Sequence, residues 1–247
     1  MKVYAYNNGH IIKKKSLLES LGIDIDKDKV ITLVGAGGKT STIFRLGKEI
    51  SNLNKKAIIT TTTHMGMSKD MILVECNSDL KKVKYILNKD NLIKVGQKES
   101  DHKIKSLDYD LLKKVISMSD VTLIEGDGSR NLPLKVPREY EPVIIEETNL
   151  VIGLIGIDCL DKKIKDACHK PELVSIFLGK NVDQIVEIED LVKIATSENG
   201  LKKCVNCRYK VIVNKVDDEK YLDKCKKIAE LLQKSGVDVV FTSYIDD

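Results

Sequence analysis

The sequence predicts an α/β fold, a mostly parallel sheet covered by helices on both faces. Three observations carry this expectation. Short β-branched apolar runs recur along the 247 residues, helical patterns stand between them, and one run leads directly into a glycine-rich turn and a helix. Strands that are apolar throughout are those buried on both faces, as parallel crossovers require.

Residues 29–34 (KVITLV) form the first expected strand, bounded by charge before and glycine after. A helix follows over 39–51, with Ile43, Leu46, Ile50 and Leu53 at helical spacing. Residues 57–63 (AIITTTT) and 71–75 read as strands, 79–88 and 109–117 as helices, and 121–125 (VTLIE) as another buried strand. The second half continues with a strand at 150–157, helices at 171–178 and 189–196, a strand at 210–214, a helix at 218–235 and a strand at 237–242. No Pro/Gly/Ser-rich linker divides the chain. Residues 1–247 are therefore expected to form one domain, with a Pro-containing insertion around 128–147 that carries Pro133, Pro137 and Pro142. Functional loops should gather at the carboxyl ends of the strands, and a long irregular segment near them is a candidate substrate loop.

Composition narrows the class. Hydrophobic residues at 42% and charged residues at 32% suit a globular core. A net charge of +4, spread over several helix-like stretches, is too mild to argue for nucleic acid. No apolar run is long enough to span a bilayer, and the first residues lack a signal-peptide pattern, so the expected location is cytoplasmic, without membrane contact. The six cysteines should then stay reduced. Cys204 and Cys207 form one C-x-x-C, but no second ligand pair completes a zinc site, since Cys168-His169 has the wrong spacing.

The strongest chemical signal is the turn Gly35-Ala36-Gly37-Gly38-Lys39-Thr40-Ser41 between strand and helix. Glycines let successive N–H groups converge on a phosphate, and the helix start adds free N–H groups and a positive dipole end. Lys39 would reach the terminal phosphates and the Thr40 hydroxyl would bind Mg2+. Leu33 stands where the longer G-x-x-x-x-G-K-[ST] pattern wants glycine, so the turn has a short G-x-x-G-K-T form, similar to the loop of Mur ligases and folylpolyglutamate synthases. This makes the expected fold P-loop NTPase-like.

A strand-terminal acid usually completes such a site. Glu125 ends its strand and Asp127 follows; the sequence leaves open which is the closer metal partner. Thr63 and His64 end the threonine run and are candidates for contact near the terminal phosphate. Asn214-Lys215-Val216-Asp217 follows a buried strand in the N-K-x-D pattern of GTP-binding proteins, with Thr242-Ser243 ending the next strand. The Asp217 carboxylate can accept two N–H bonds from a guanine edge that adenine does not offer. Guanine is thereby favoured, with ATP left open.

Taken together, Ser16-Leu17-Leu18-Glu19, Val34–Thr40, Thr61-Thr62-Thr63-His64, Glu125-Gly126-Asp127-Gly128-Ser129-Arg130, Pro133-Leu134-Lys135, Glu141-Pro142-Val143-Ile144, His169-Lys170-Pro171-Glu172-Leu173 and Asn214-Lys215-Val216-Asp217 resemble the selenium cofactor biosynthesis protein YqeC family. The resemblance covers most of the chain. It implies an accessory role in maturation of selenium-dependent molybdenum hydroxylases, with the enzyme or its molybdenum cofactor as partner. Arg130, Lys135 and His169 are the candidates for a second, anion-accepting site. Three functions follow as expectations: an NTPase coupled to cofactor maturation, with Lys39, Glu125 and Asp127 carrying hydrolysis; an ATP-dependent ligase or kinase acting on a small anion; or a non-catalytic nucleotide switch that selects a partner-binding conformation.

Overall fold

A computed structural model describes residues 2–7 and 9–245. In chain order the strands are β1 (Lys2–Asn7), β2 (His10–Lys14), β3 (Val30–Gly35), β4 (Ala57–Thr61), β5 (His64–Gly66), β6 (Met71–Leu73), β7 (Leu92–Ser100), β8 (Lys103–Lys105), β9 (Val121–Glu125), β10 (Leu134–Lys135), β11 (Leu150–Gly156), β12 (Cys168–His169), β13 (Arg208–Asn214) and β14 (Asp238–Ser243). The helices are α1 (Leu17–Ser20), α2 (Lys39–Asn52), α3 (Leu80–Asp90), α4 (Tyr109–Ile116), α5 (Ile164–Ala167), α6 (Pro171–Leu178), α7 (Ile188–Thr196) and α8 (Leu222–Lys234).

The main sheet runs β2-β1-β14-β13-β11-β3-β9-β4-β7-β8-β5, with β6 beside β7. From β14 to β7 every pairing is parallel. The glycine turn therefore leaves the central strand β3, flanked by β9 and β11.

Side-chain alternation explains the two covered faces. Along β13, Ile212 enters the core under α1 and α2, while Val211 and Val213 enter the opposite core with α7 and α8. In β4, Ala57 and Ile59 point to the α2 side and Ile58 to the core of α3 and α4. Helix α2 buries Ile43, Leu46 and Ile50. Gly47 lets it lie close to the sheet, since a Cβ there would come within 2.8 Å of a Leu92 methyl.

Three features depart from the expected elements. The hairpin β1–β2 and the arm β7–β8 add antiparallel pairings, and β5 closes on β8. These strands are rich in lysine and tyrosine, so their apolar period is weak in sequence. Leu53 lies beyond the end of α2 and is exposed. The segment 128–147 is not wholly irregular: Leu134–Lys135 pairs in parallel with Cys168–His169, which sets Lys135 beside His169.

Candidate functional site

The turn after β3 is shaped by backbone that only glycine adopts readily. Gly35 and Gly37 have φ of +95° and +82°. A Cβ on Gly37 would lie 2.2 Å from the Gly156 nitrogen, and one on Gly35 would lie 2.4 Å from the Leu154 carbonyl oxygen. The first half of the turn is tied into the fold: Ala36 N–H donates to the Leu154 carbonyl at 2.9 Å and Gly37 N–H to the Leu132 carbonyl at 3.0 Å. The second half is open. No side chain caps α2, and Gly38, Lys39, Thr40 and Ser41 line a cavity of about 660 Å³. Uncapped leading N–H groups and the helix dipole make that end attractive to an anion.

Lys39 is buried and donates from Nζ to the Gly35 carbonyl, with Asp127 Oδ1 at 3.2 Å. Asp127 is also buried. Its two oxygens each accept from Gly35 N–H at 3.0 Å, and Oδ2 meets Lys135 Nζ at 3.0 Å. Lys135 in turn reaches Glu141 Oε2 and the Gly128 carbonyl, both at 2.7 Å. Lys135 thus faces an internal charge cluster and not the cavity.

Glu125 has a different environment. It lines the cavity, and its Oε2 lies 3.4 Å from the Thr40 hydroxyl. Burial pushes its carboxyl pKa up; Lys39 opposes this and Asp127 adds to it. A hard cation suits such a carboxylate and hydroxyl pair, because it offsets desolvated negative charge. Thr40 and Glu125 therefore fit Mg2+, whereas the oxygens of Asp127 are occupied by protein donors. The registers Leu33↔Glu125 and Thr61↔Glu125 show how the sheet aligns this acid with the turn and with the threonine strand.

The N-K-x-D segment, far along the chain, reaches the same place. Asn214 Nδ2 donates to the Gly37 carbonyl at 2.8 Å, and its Oδ1 accepts from the Thr242 hydroxyl at 2.8 Å. All of this is buried. Asp217 is exposed and accepts from the Ser243 hydroxyl at 2.5 Å. Lys215, at φ +66°, pairs with Asp158 at 3.0 Å. One asparagine therefore ties together the turn after β3, the end of β13 and the end of β14.

Thr63 and His64 line a neighbouring space of about 370 Å³, His64 paired with Glu99 at 2.9 Å. Arg130 lines the same space, and buried His169 closes its far end. Burial lowers the His169 pKa, with Lys135, Arg138 and Arg130 acting in the same direction and Glu141 against it. Arg138 and Glu141 were not singled out from their residue types. Their sequence signal is their place beside Pro137 and Pro142 in the insertion and, for Glu141, the family-like run Glu141-Pro142-Val143-Ile144. Cys204 is exposed and Cys207 half-buried, both as free thiols.

The model of the family described as YqeC protein matches residues 31–172, more than half of the chain. The chain belongs to this family. Within the matched span lie β3 from its second residue, the glycine turn, Glu125, Asp127, the insertion and His169, while Asn214 and Asp217 fall beyond it. The uncharacterized protein YqeC of Escherichia coli (strain K12) is 28% identical over 252 residues, covering 94% of this chain and 96% of that protein. Among solved structures, HypB from Helicobacter pylori in complex with nickel aligns with a TM-score of 0.40 at 16% identity, covering 88% of this chain and 80% of that one. Among the described residues no helix is long and apolar enough to cross a membrane.

Proposed function

We propose that the protein binds a guanine nucleoside triphosphate with Mg2+ and couples its hydrolysis to loading or insertion of the selenium-containing molybdenum cofactor of selenium-dependent hydroxylases. The observation that carries the nucleotide reading is Asn214. Its bonds to Gly37 and Thr242 hold the N-K-x-D segment against the phosphate-type turn, where a base and its phosphates need to be joined.

The chain's own residues would act by positioning and by charge. The open N–H groups of α2 would receive the phosphates. Lys39 would exchange the Gly35 carbonyl and Asp127 for a terminal phosphate, while Asp127 keeps the Gly35 N–H and Lys135 as partners. Thr40 and Glu125 would hold Mg2+, which supplies Lewis-acid charge at the phosphates when bound. Asp217, oriented by Ser243, would accept the guanine N–H edge. The role in cofactor maturation is supported by membership of the family and by the motif set that extends from the turn to His169.

A second reading, phosphate transfer to a bound acceptor, is favoured by one observation: the cavity at the turn continues well past Glu125 into a cationic recess. The test is binding of Mg–GTP and Mg–ATP to the unmutated protein and to Lys39→Ala and Asp217→Ala, followed by turnover with and without the hydroxylase. Preference for GTP that Asp217→Ala erases supports the guanine reading. Equal binding of ATP, unaffected by Asp217→Ala, overturns it. Turnover that requires a small acceptor favours the transfer reading.

A further inference from the structure

The cavity at the glycine turn opens into a second one of about 370 Å³, and the two share the walls formed by residues 64–66 and 128–130. Its far end is formed by Arg138, Glu141 and His169. Glu141 is the one carboxylate among the residues that line this second space, and it is engaged by Lys135 at 2.7 Å. The space is therefore positive without a free counter-charge.

Arg138 shows the imbalance most directly. Its two terminal nitrogens make only long contacts, 3.5 Å to the Tyr140 hydroxyl and 3.4 Å to His169 Nε2. Its Nε is buried and has no partner. Among the described residues no carboxylate lies within ion-pair distance of this guanidinium. A buried guanidinium N–H without an acceptor is costly, and an oxyanion is the group that satisfies it. Arg130 also lines this second space. It and Asn131 are adjacent non-glycine residues with φ of +48° and +62°.

We propose that Arg130, Arg138 and His169 form a site for the phosphomonoester group of a small organic molecule, whose body lies along Met65 toward the glycine turn. Two guanidinium groups match the oxygens and double charge of a phosphomonoester, while His169 Nε2, which accepts from Arg138, holds that arginine at the site. A carboxylate would be satisfied by a single guanidinium fork. Met65 and Met67 give the connecting space an apolar wall for the body of the molecule, and a space of this scale is usual for small ligands. The site does not depend on the nucleotide reading.

Phenyl phosphate and benzoate are suitable probes, since they share a ring and differ in the anion. Each is titrated calorimetrically into the full chain without nucleotide, and into Lys39→Ala, Arg138→Gln and Arg130→Gln. Phenyl phosphate is expected to bind the unmutated protein and Lys39→Ala comparably, and to lose roughly tenfold in affinity in Arg138→Gln and in Arg130→Gln. Benzoate is expected to bind roughly tenfold more weakly than phenyl phosphate. Thermal melting checks that Arg138→Gln is folded, and the exposed Arg130→Gln carries the test where it is not. Equal binding of benzoate overturns the phosphate assignment. Loss of phenyl phosphate binding in Lys39→Ala, with both arginine variants unaffected, places the anion at the glycine turn and overturns the site. So does an absence of phenyl phosphate binding to the unmutated protein. Failure of Mg–GTP to bind while phenyl phosphate still does would sink the nucleotide reading and leave this one standing.

Discussion

Lys135 Nζ lies 3.0 Å from Asp127 Oδ2, and both side chains are fully buried. The pair links the insertion to the glycine turn, because Asp127 also holds the Gly35 N–H and faces Lys39. Removing one member leaves an uncompensated buried charge, which costs about 3–5 kcal/mol. Lys135→Met is therefore expected to lower unfolding free energy by about that amount in urea titration. The double variant Lys135→Met/Asp127→Asn should recover part of the loss. Equal stability of Lys135→Met and the unmutated protein would show that the pair is solvated in solution.

Asn214 serves two buried partners, the Gly37 carbonyl and the Thr242 hydroxyl. Asn214→Ala leaves both unpaired, at a cost of about 2–3 kcal/mol. Nucleotide binding should weaken for GTP and ATP alike, since the turn itself loses its anchor. Asp217→Ala should instead affect GTP selectively. A base-selective effect of Asn214→Ala in competition binding would mean that it contacts the base and not the turn.

Glu125 carries a stability cost at neutral pH. Its folded pKa is raised above 4.5, so its contribution is favourable below that value and is lost as pH rises through the folded pKa. Glu125→Gln keeps the shape and removes the charge. It should raise the melting temperature of the nucleotide-free protein at pH 7 by on the order of 2 °C, while Mg2+ no longer improves nucleotide binding. A lower melting temperature together with unchanged Mg2+ dependence would contradict both parts.

His169 behaves in the opposite sense. Its folded pKa is lowered below 6.5 by burial and by Lys135, Arg138 and Arg130, against Glu141. Stability is present above about pH 6.5 and is lost as pH falls toward the folded pKa, because the unfolded chain takes up the proton first. Chemical denaturation at pH 7.5 and 5.5 should therefore show a loss in the unmutated protein that His169→Gln lacks. Identical pH dependence of the two would show that the ring titrates freely.

Gly37→Ala should damage the turn more than its small size suggests. The added Cβ meets the Gly156 backbone at 2.2 Å, in a conformation with φ of +82° that disfavours L side chains. Since backbone cannot step aside as a side-chain tip can, β11 or the turn must shift. We expect loss of nucleotide binding at a retained secondary-structure content by circular dichroism. Unimpaired binding would show that the turn adjusts.

The sequence by itself determined the parallel sheet, the glycine turn and its lysine, and the acid at the end of β9. Each of these is local: apolar continuity, glycine in a strand-to-helix turn, and a strand-terminal carboxylate all sit within a few neighbouring residues. The lysine-rich arm β7–β8 and the hairpin β1–β2 were not legible, because strands at a sheet margin bury only one side chain in two or fewer and carry little periodicity. Tertiary structure alone separated the surroundings of Glu125 from those of Asp127. They are two residues apart and chemically alike, but the strand ends at Glu125 and the chain turns before Asp127, so one aims toward Thr40 and the other toward Gly35, Lys39 and Lys135. It also placed Arg138, and not Lys135, at the cavity beside His169. Whether a cation is paired inside the fold or left facing a ligand depends on which carboxylates the fold brings to it, and no spacing along the chain carries that information.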